Sequence, residues 1–205
     1  MRAIMISIQP QWVEKILNGE KTIEIRKTMP KCELPIRVYI YCTKNEKQYF
    51  SNVKCCESLL MDSNSLGKVV AEFTLNEVKD YGYVYSPALL MQGYYTKRGK
   101  ELDYSKCCLK LHEIEQYADD GKILPKPIFA WYIDNLKIYD KPKELSEFYG
   151  AKECPYKDWG DVDNIGCWES YCEMFSRGEC RFGHLKLDRP PQSWCYVEEL
   201  EVVDE

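Results

Sequence analysis

The chain opens on an apolar run, Ala3–Ile8, that reads as a buried strand. Pro10 then starts a short helix in which Val13, Ile16 and Leu17 share one face, and Gly19 can close it in the left-handed conformation. Thr22–Arg26 alternates with period two, so Ile23 and Ile25 point one way while Thr22, Glu24 and Arg26 point the other. Behind Pro35, Ile36–Cys42 forms a third strand, and Lys68–Leu75 a fourth whose nearly continuous apolar character predicts cover on both faces. Tyr83–Tyr95 is aromatic but interrupted by Pro87 and Gly93, which predicts a loop with a short helix. Leu111–Ala118 carries a helical stripe at Leu111, Ile114 and Tyr117 or Ala118, ended by Asp119-Asp120-Gly121. Ile128–Tyr139 is a strong strand that Pro142 should stop, and Ser193–Val203 is a last one. Several short strands with a helix tucked between them predict a mainly β, α+β fold: a small barrel with flanking helices.

Tyr149–Gln192 is acidic and rich in glycine and cysteine, and it lies between two strand signals. It reads as an insertion, which divides the chain into a barrel over 1–148, an insertion over 149–192 and a closing strand over 193–205. Hydrophobic residues at 45% and charged residues at 30% are ordinary globular values and exclude wholesale disorder or a coiled coil. No apolar run approaches the roughly 20 residues of a membrane span, and the first ten residues do not form a secretion signal. A soluble cytoplasmic protein is the expectation.

The net charge of −5 is a poor footprint for non-specific coating of nucleic acid, but its distribution is uneven. Residues 1–54 hold ten basic and five acidic side chains, net +5; residues 55–139 hold ten and twelve, net −2; residues 140–205 hold eight and sixteen, net −8. A phosphate-seeking surface belongs in the first quarter, whereas the acidic tail suits docking onto a basic protein.

Within that basic quarter, Lys21 stands at the mouth of a strand, with Glu24 and Arg26 on one of its faces, roughly 7 Å apart between Cα atoms. Lys21, Arg26 and Lys27 supply donors for a phosphate or a base edge, Glu24 can accept from a base amino group or orient the arginine, and Trp12 offers a face for stacking. The competing reading pairs Glu24 with Arg26 on a solvated strand face and uses Trp12 to fill the barrel end.

The run Ser7-Ile8-Gln9-Pro10, Trp12 and Gly19-Glu20-Lys21-Thr22-Ile23-Glu24-Ile25-Arg26-Lys27 closely resembles the signature of the ASCH domain family, part of the PUA-like superfamily of small β-barrels. Gly67–Phe73 and Phe129–Tyr132 are similar to its further strands. The resemblance implies binding of RNA or a nucleotide. It also admits hydrolysis of an acylated nucleoside or of RNA, which would use Lys21, Glu24 and Glu72. The amidohydrolases of the family carry a threonine where this chain has Glu24, so Thr22 or Ser7 would have to replace that hydroxyl. A glutamate beside Lys21 would also hold it protonated, against a role as base. Binding is therefore favoured over catalysis. Glu72 reads equally as the separate carboxylate of such an enzyme or as a buried partner of Arg26.

Of the eleven cysteines, Cys32, Cys42, Cys55, Cys56, Cys107 and Cys108 are scattered or adjacent, as suits small core hydrophobes. Cys154, Cys167, Cys172 and Cys180 instead crowd toward His184. Three thiolates and one imidazole make a tetrahedral zinc site, and a loop of about 40 residues with little apolar content gains its fold from such a centre. Cys167, Cys172, Cys180 and His184 are the expected ligands, with Cys154 able to replace one of them. Reduced thiols or a disulfide pair are the alternatives. Pro190 and Pro191 should fix the chain's return toward the barrel; a Pro-rich partner motif is the sharper alternative.

Overall fold

The computed structural model describes residues 2–44, 63–150 and 186–200. Among the described residues seven strands form one sheet in the order β2-β6-β4-β3-β1-β7, with β5 attached to β4. They are β1 (Arg2–Ile8), β2 (Ile23–Arg26), β3 (Ile36–Cys42), β4 (Val69–Ser86), β5 (Met91–Tyr95), β6 (Ile128–Lys143) and β7 (Trp194–Glu198). The described α-helices are short: α1 (Pro10–Leu17), α2 (Tyr104–Cys107) and α3 (Leu111–Ala118). The fold is thus mainly β with few helices. β1 runs parallel to β3, as the α1 crossover between them requires, and every other paired strand is antiparallel. None of the described helices is long and apolar enough to cross a membrane.

Helix α1 begins on Pro10, whose fixed φ suits a first helical position, and Gly19 follows at φ +76°. Its buried Val13, Ile16 and Leu17 meet Ile4, Ile6, Val38, Ile40, Phe73 and Trp131 in the main core. At about 1.5–3 kcal/mol for each fully buried aliphatic side chain, this contact rather than helix propensity holds α1 in place. A second cluster gathers Ile23 and Ile25 with Tyr81, Tyr94, Ile114 and Ala118, so β2 is covered on the side of α3. A third lies around Met5, Tyr39, Val69, Phe148 and Val197.

The strand path has two ends, and among the described residues no ladder joins β2 to β7. The expected barrel is not closed. Side chains span the gap instead: Trp194 Nε1 donates to Thr28 Oγ1 at 2.9 Å, the Lys31 backbone N–H donates to the Tyr196 hydroxyl at 2.8 Å, and Arg26 reaches Ser193. Ladder pairing needs backbones less than about 5 Å apart, and these two edges are linked through side chains of Trp194, Tyr196 and Arg26 instead.

Two further expectations are corrected. Tyr83–Tyr95 is a β-hairpin, with Gly82–Ser86 of β4 paired to β5 and the 3-10 turn Pro87–Leu89 between them. Pro142 does not stop β6, which reaches Lys143. At that end the β4–β6 register is already shifted, so the missing proline N–H interrupts little regular ladder. Of the scattered cysteines, Cys42 and Cys107 are buried, while Cys32 and Cys108 are half-buried. Cys55 and Cys56 lie outside the described residues, as does the interior of the expected insertion. Its two ends meet, with Tyr149 bridging Lys186 and Gly150 bridging Val197 of β7.

Candidate functional site

The pattern of β2 decides where its charges go. Glu24 pairs with Trp131 and Arg26 with Phe129 across the β2–β6 ladder, and paired residues of an antiparallel ladder share a face. Trp131 and Phe129 pack with the main core. Glu24 and Arg26 therefore enter the interior side of the sheet, while Ile23 and Ile25 fill the second cluster.

Lys21 joins them there. Its backbone N–H donates to the Lys15 carbonyl at 2.9 Å, just past the end of α1, which turns the side chain inward. Only 2% of Lys21 is exposed, against 8% of Glu24 and 7% of Arg26. The carboxylate is shared, with Lys21 Nζ 3.3 Å from Glu24 Oε2 and Arg26 Nη2 3.0 Å from Glu24 Oε1. Two cations thus flank one anion in the interior.

Backbone acceptors complete the trio. Lys21 Nζ donates to the Cys107 carbonyl at 2.7 Å and lies 5.6 Å from the centroid of the half-buried Trp12 ring. Arg26 Nη2 donates to the Ser7 carbonyl at 2.8 Å, and Nη1 approaches Ser193 Oγ at 3.3 Å. Arg26 Nε is buried with no hydrogen-bond partner. An unmet buried donor is costly, so an acceptor brought to it would be bound with advantage. The Cys107 thiol beside the trio is pushed up to about 12 by burial, against the opposing effect of the Lys21 charge, and stays protonated.

Trp12, Lys21, Glu24 and Arg26 are accordingly brought together. Lys27 is exposed next to them, its ammonium 4.9 Å from the centroid of the Tyr117 ring. Glu72 is not brought to this group. It lies on β4 opposite Tyr39, on the side of the third cluster, where it accepts from the Tyr139 hydroxyl at 2.6 Å and faces Arg37 Nη1 at 3.9 Å. Its cation is therefore Arg37, not Arg26. The Ser7 hydroxyl donates to the Pro191 carbonyl at 2.6 Å, and the Thr22 backbone N–H to the Lys106 carbonyl at 3.0 Å. Ser7 thus tethers the chain just before it enters β7.

Ser193, Thr28, the Cys107 carbonyl and Tyr117 escaped the sequence reading, because each reaches the site by tertiary contact. Tyr117 had one available signal, its place on the α3 stripe. The expected zinc ligands Cys154, Cys167, Cys172, Cys180 and His184 lie outside the described residues. Among the described residues no group of three or more His, Cys, Asp or Glu side chains is arranged to hold a metal.

A model of the ASCH domain matches residues 6–159. No curated protein matches the chain. Among solved structures it is similar to an ASCH protein from Zymomonas mobilis, at 19% identity and a TM-score of 0.44, over 70% of this chain and 73% of that one. Two point variants of the same protein give the same TM-score of 0.44 at 17% and 19% identity, over 70% of this chain and 76% and 74% of theirs.

Proposed function

Because the chain belongs to the ASCH domain family, which is associated with RNA, we propose that it binds single-stranded RNA or a nucleotide at Lys21, Glu24 and Arg26. One observation supports this most: two cations and one carboxylate are buried together, with one guanidinium donor unspent. A buried charge cluster contributes little to stability compared with apolar side chains of similar volume. Its excess positive charge suits a phosphate, and its fixed carboxylate and guanidinium suit a base edge.

Hydrolysis finds less support. The Lys21 ammonium is surrounded by the Cys107 carbonyl, the Glu24 carboxylate and the Trp12 face, all partners of a cation, and Glu72 is engaged elsewhere by Tyr139 and Arg37.

A titration with a short fluorescent single-stranded RNA tests the site. Lys21→Ala and Arg26→Ala, verified as folded by circular dichroism, should each weaken binding roughly ten- to a hundredfold, as expected for a lost hydrogen bond to a charged group. Equal affinity across the three proteins would remove the site.

The spacing of Cys167, Cys172, Cys180 and His184 carries a separate proposal, a structural zinc centre, with Cys154 as possible substitute. Protein purified without chelator should contain about one zinc per chain, bound through thiolates that must be deprotonated. Metal-free, fully folded protein would contradict the centre.

A further inference from the structure

Tyr117 stands on the last turn of α3 and is 40% exposed, and its ring contacts Lys27, the residue that follows Arg26. Burial raises the pKa of its phenol, Arg26 opposes that rise, Glu24 adds to it, and the facing Lys27 backbone lowers it. The phenol is thus within electrostatic reach of the trio while part of the ring meets solvent. The Lys27 ammonium lies 4.9 Å from the ring centroid, and Lys27 is itself exposed, as is Thr28 after it.

Two cation–aromatic pairs therefore flank Glu24 and Arg26 along the chain. Lys21 with Trp12 is the inner one, and Lys27 with Tyr117 the outer one. The inner pair is committed, since Lys21 Nζ also serves Glu24 and the Cys107 carbonyl. In the outer pair, the Lys27 side chain has the Tyr117 ring as its contact, and an exposed ammonium leaves such a ring at little cost. A part-exposed ring beside an exposed cation is what successive nucleotides use: bases stack on the aromatic face whatever their identity, and the cation meets the backbone.

We propose that Tyr117 and Lys27 form a second subsite, in which Tyr117 stacks the base adjoining the one held at the trio and Lys27 contacts the phosphodiester between them. The ligand is then an RNA strand of at least two nucleotides rather than a free nucleotide. This rests on the trio being the binding site proposed above.

Calorimetric titration with the four homodinucleotides ApA, CpC, GpG and UpU and the four nucleoside 5′-monophosphates tests it. Wild type should bind its best dinucleotide roughly tenfold tighter than the matching monophosphate, the scale of one added base stack. Tyr117→Ala should erase that advantage, weakening the dinucleotide more than the monophosphate, while Tyr117→Phe keeps it. Lys27→Met, at an exposed position, should weaken the dinucleotide severalfold without disturbing α3. Dinucleotides bound no tighter than monophosphates, or an advantage that survives Tyr117→Ala, would overturn the subsite. If Lys21→Met weakens both ligand classes while Tyr117→Ala spares the dinucleotide, the subsite alone falls. If Lys21→Met weakens neither, the trio falls and the subsite with it.

Discussion

Glu24→Ala should lower the unfolding temperature by roughly 10 °C, because it leaves Lys21 and Arg26 as two buried cations without their shared carboxylate. Removing one partner of a buried ion pair costs about 3–5 kcal/mol, and in a chain of this size each kcal/mol is worth roughly 2–4 °C. A second pair in the same protein supplies the control. Lys15 Nζ and Glu20 Oε2 are also 3.3 Å apart, the separation of Lys21 and Glu24, but their side chains are 40% and 55% exposed. Solvent screens that pair, so Glu20→Ala should change stability by about 0.5 kcal/mol or less. Thermal unfolding followed by circular dichroism separates the two. Similar losses in both variants would mean that burial of the trio does not set its energetics.

The second large effect is expected at Trp131. Its ring is fully buried opposite Glu24 on the β2–β6 ladder, its Nε1 donates to the Thr28 carbonyl at 3.3 Å, and it packs against Trp194 with centroids 5.7 Å apart. Trp131→Ala opens a cavity beneath the trio and frees that carbonyl, at a cost of about 3–5 kcal/mol. Since Thr28 also receives Trp194 Nε1, the loss should spread to the edge strand β7. Hydrogen exchange should show β7 amides losing protection more than those of β3, which is held on both sides by β1 and β4. A variant destabilised equally in both strands would show that the side-chain contacts between β7 and Thr28 do not depend on this ring.

The N-terminal elements were legible because their period is local and unbroken. Ala3–Ile8, the α1 face and Ile36–Cys42 each announce a buried side within a single segment, and all are found where expected. The alternation of β2 placed Glu24 and Arg26 on one face, but it could not tell a solvated face from an interior one. That depended on Trp131 and Phe129, a hundred residues away. Glu72 shows the same limit: one carboxylate in an apolar strand calls for a cation, and only the register with β3 selects Arg37. The Tyr83–Tyr95 hairpin was hidden because Pro87 and Gly93 read as loop residues. Pro87 opens the turn itself, and a Cβ on Gly93 would come within 2.7 Å of the Tyr104 hydroxyl, so that glycine marks close packing inside a strand. Barrel closure was beyond reach, since strand signals do not reveal which edges meet.

Arg26, held in the interior beside Glu24 and Lys21, is the residue that should receive the ligand. Nuclear magnetic resonance of protein carrying isotope-labelled arginine, titrated with a short single-stranded RNA, observes its unpartnered Nε–H directly. The Arg26 Nε–H signal should shift as an acceptor arrives and saturate at the same RNA concentration as the fluorescence titration. RNA binding with that signal stationary, while other arginines respond, would contradict the account.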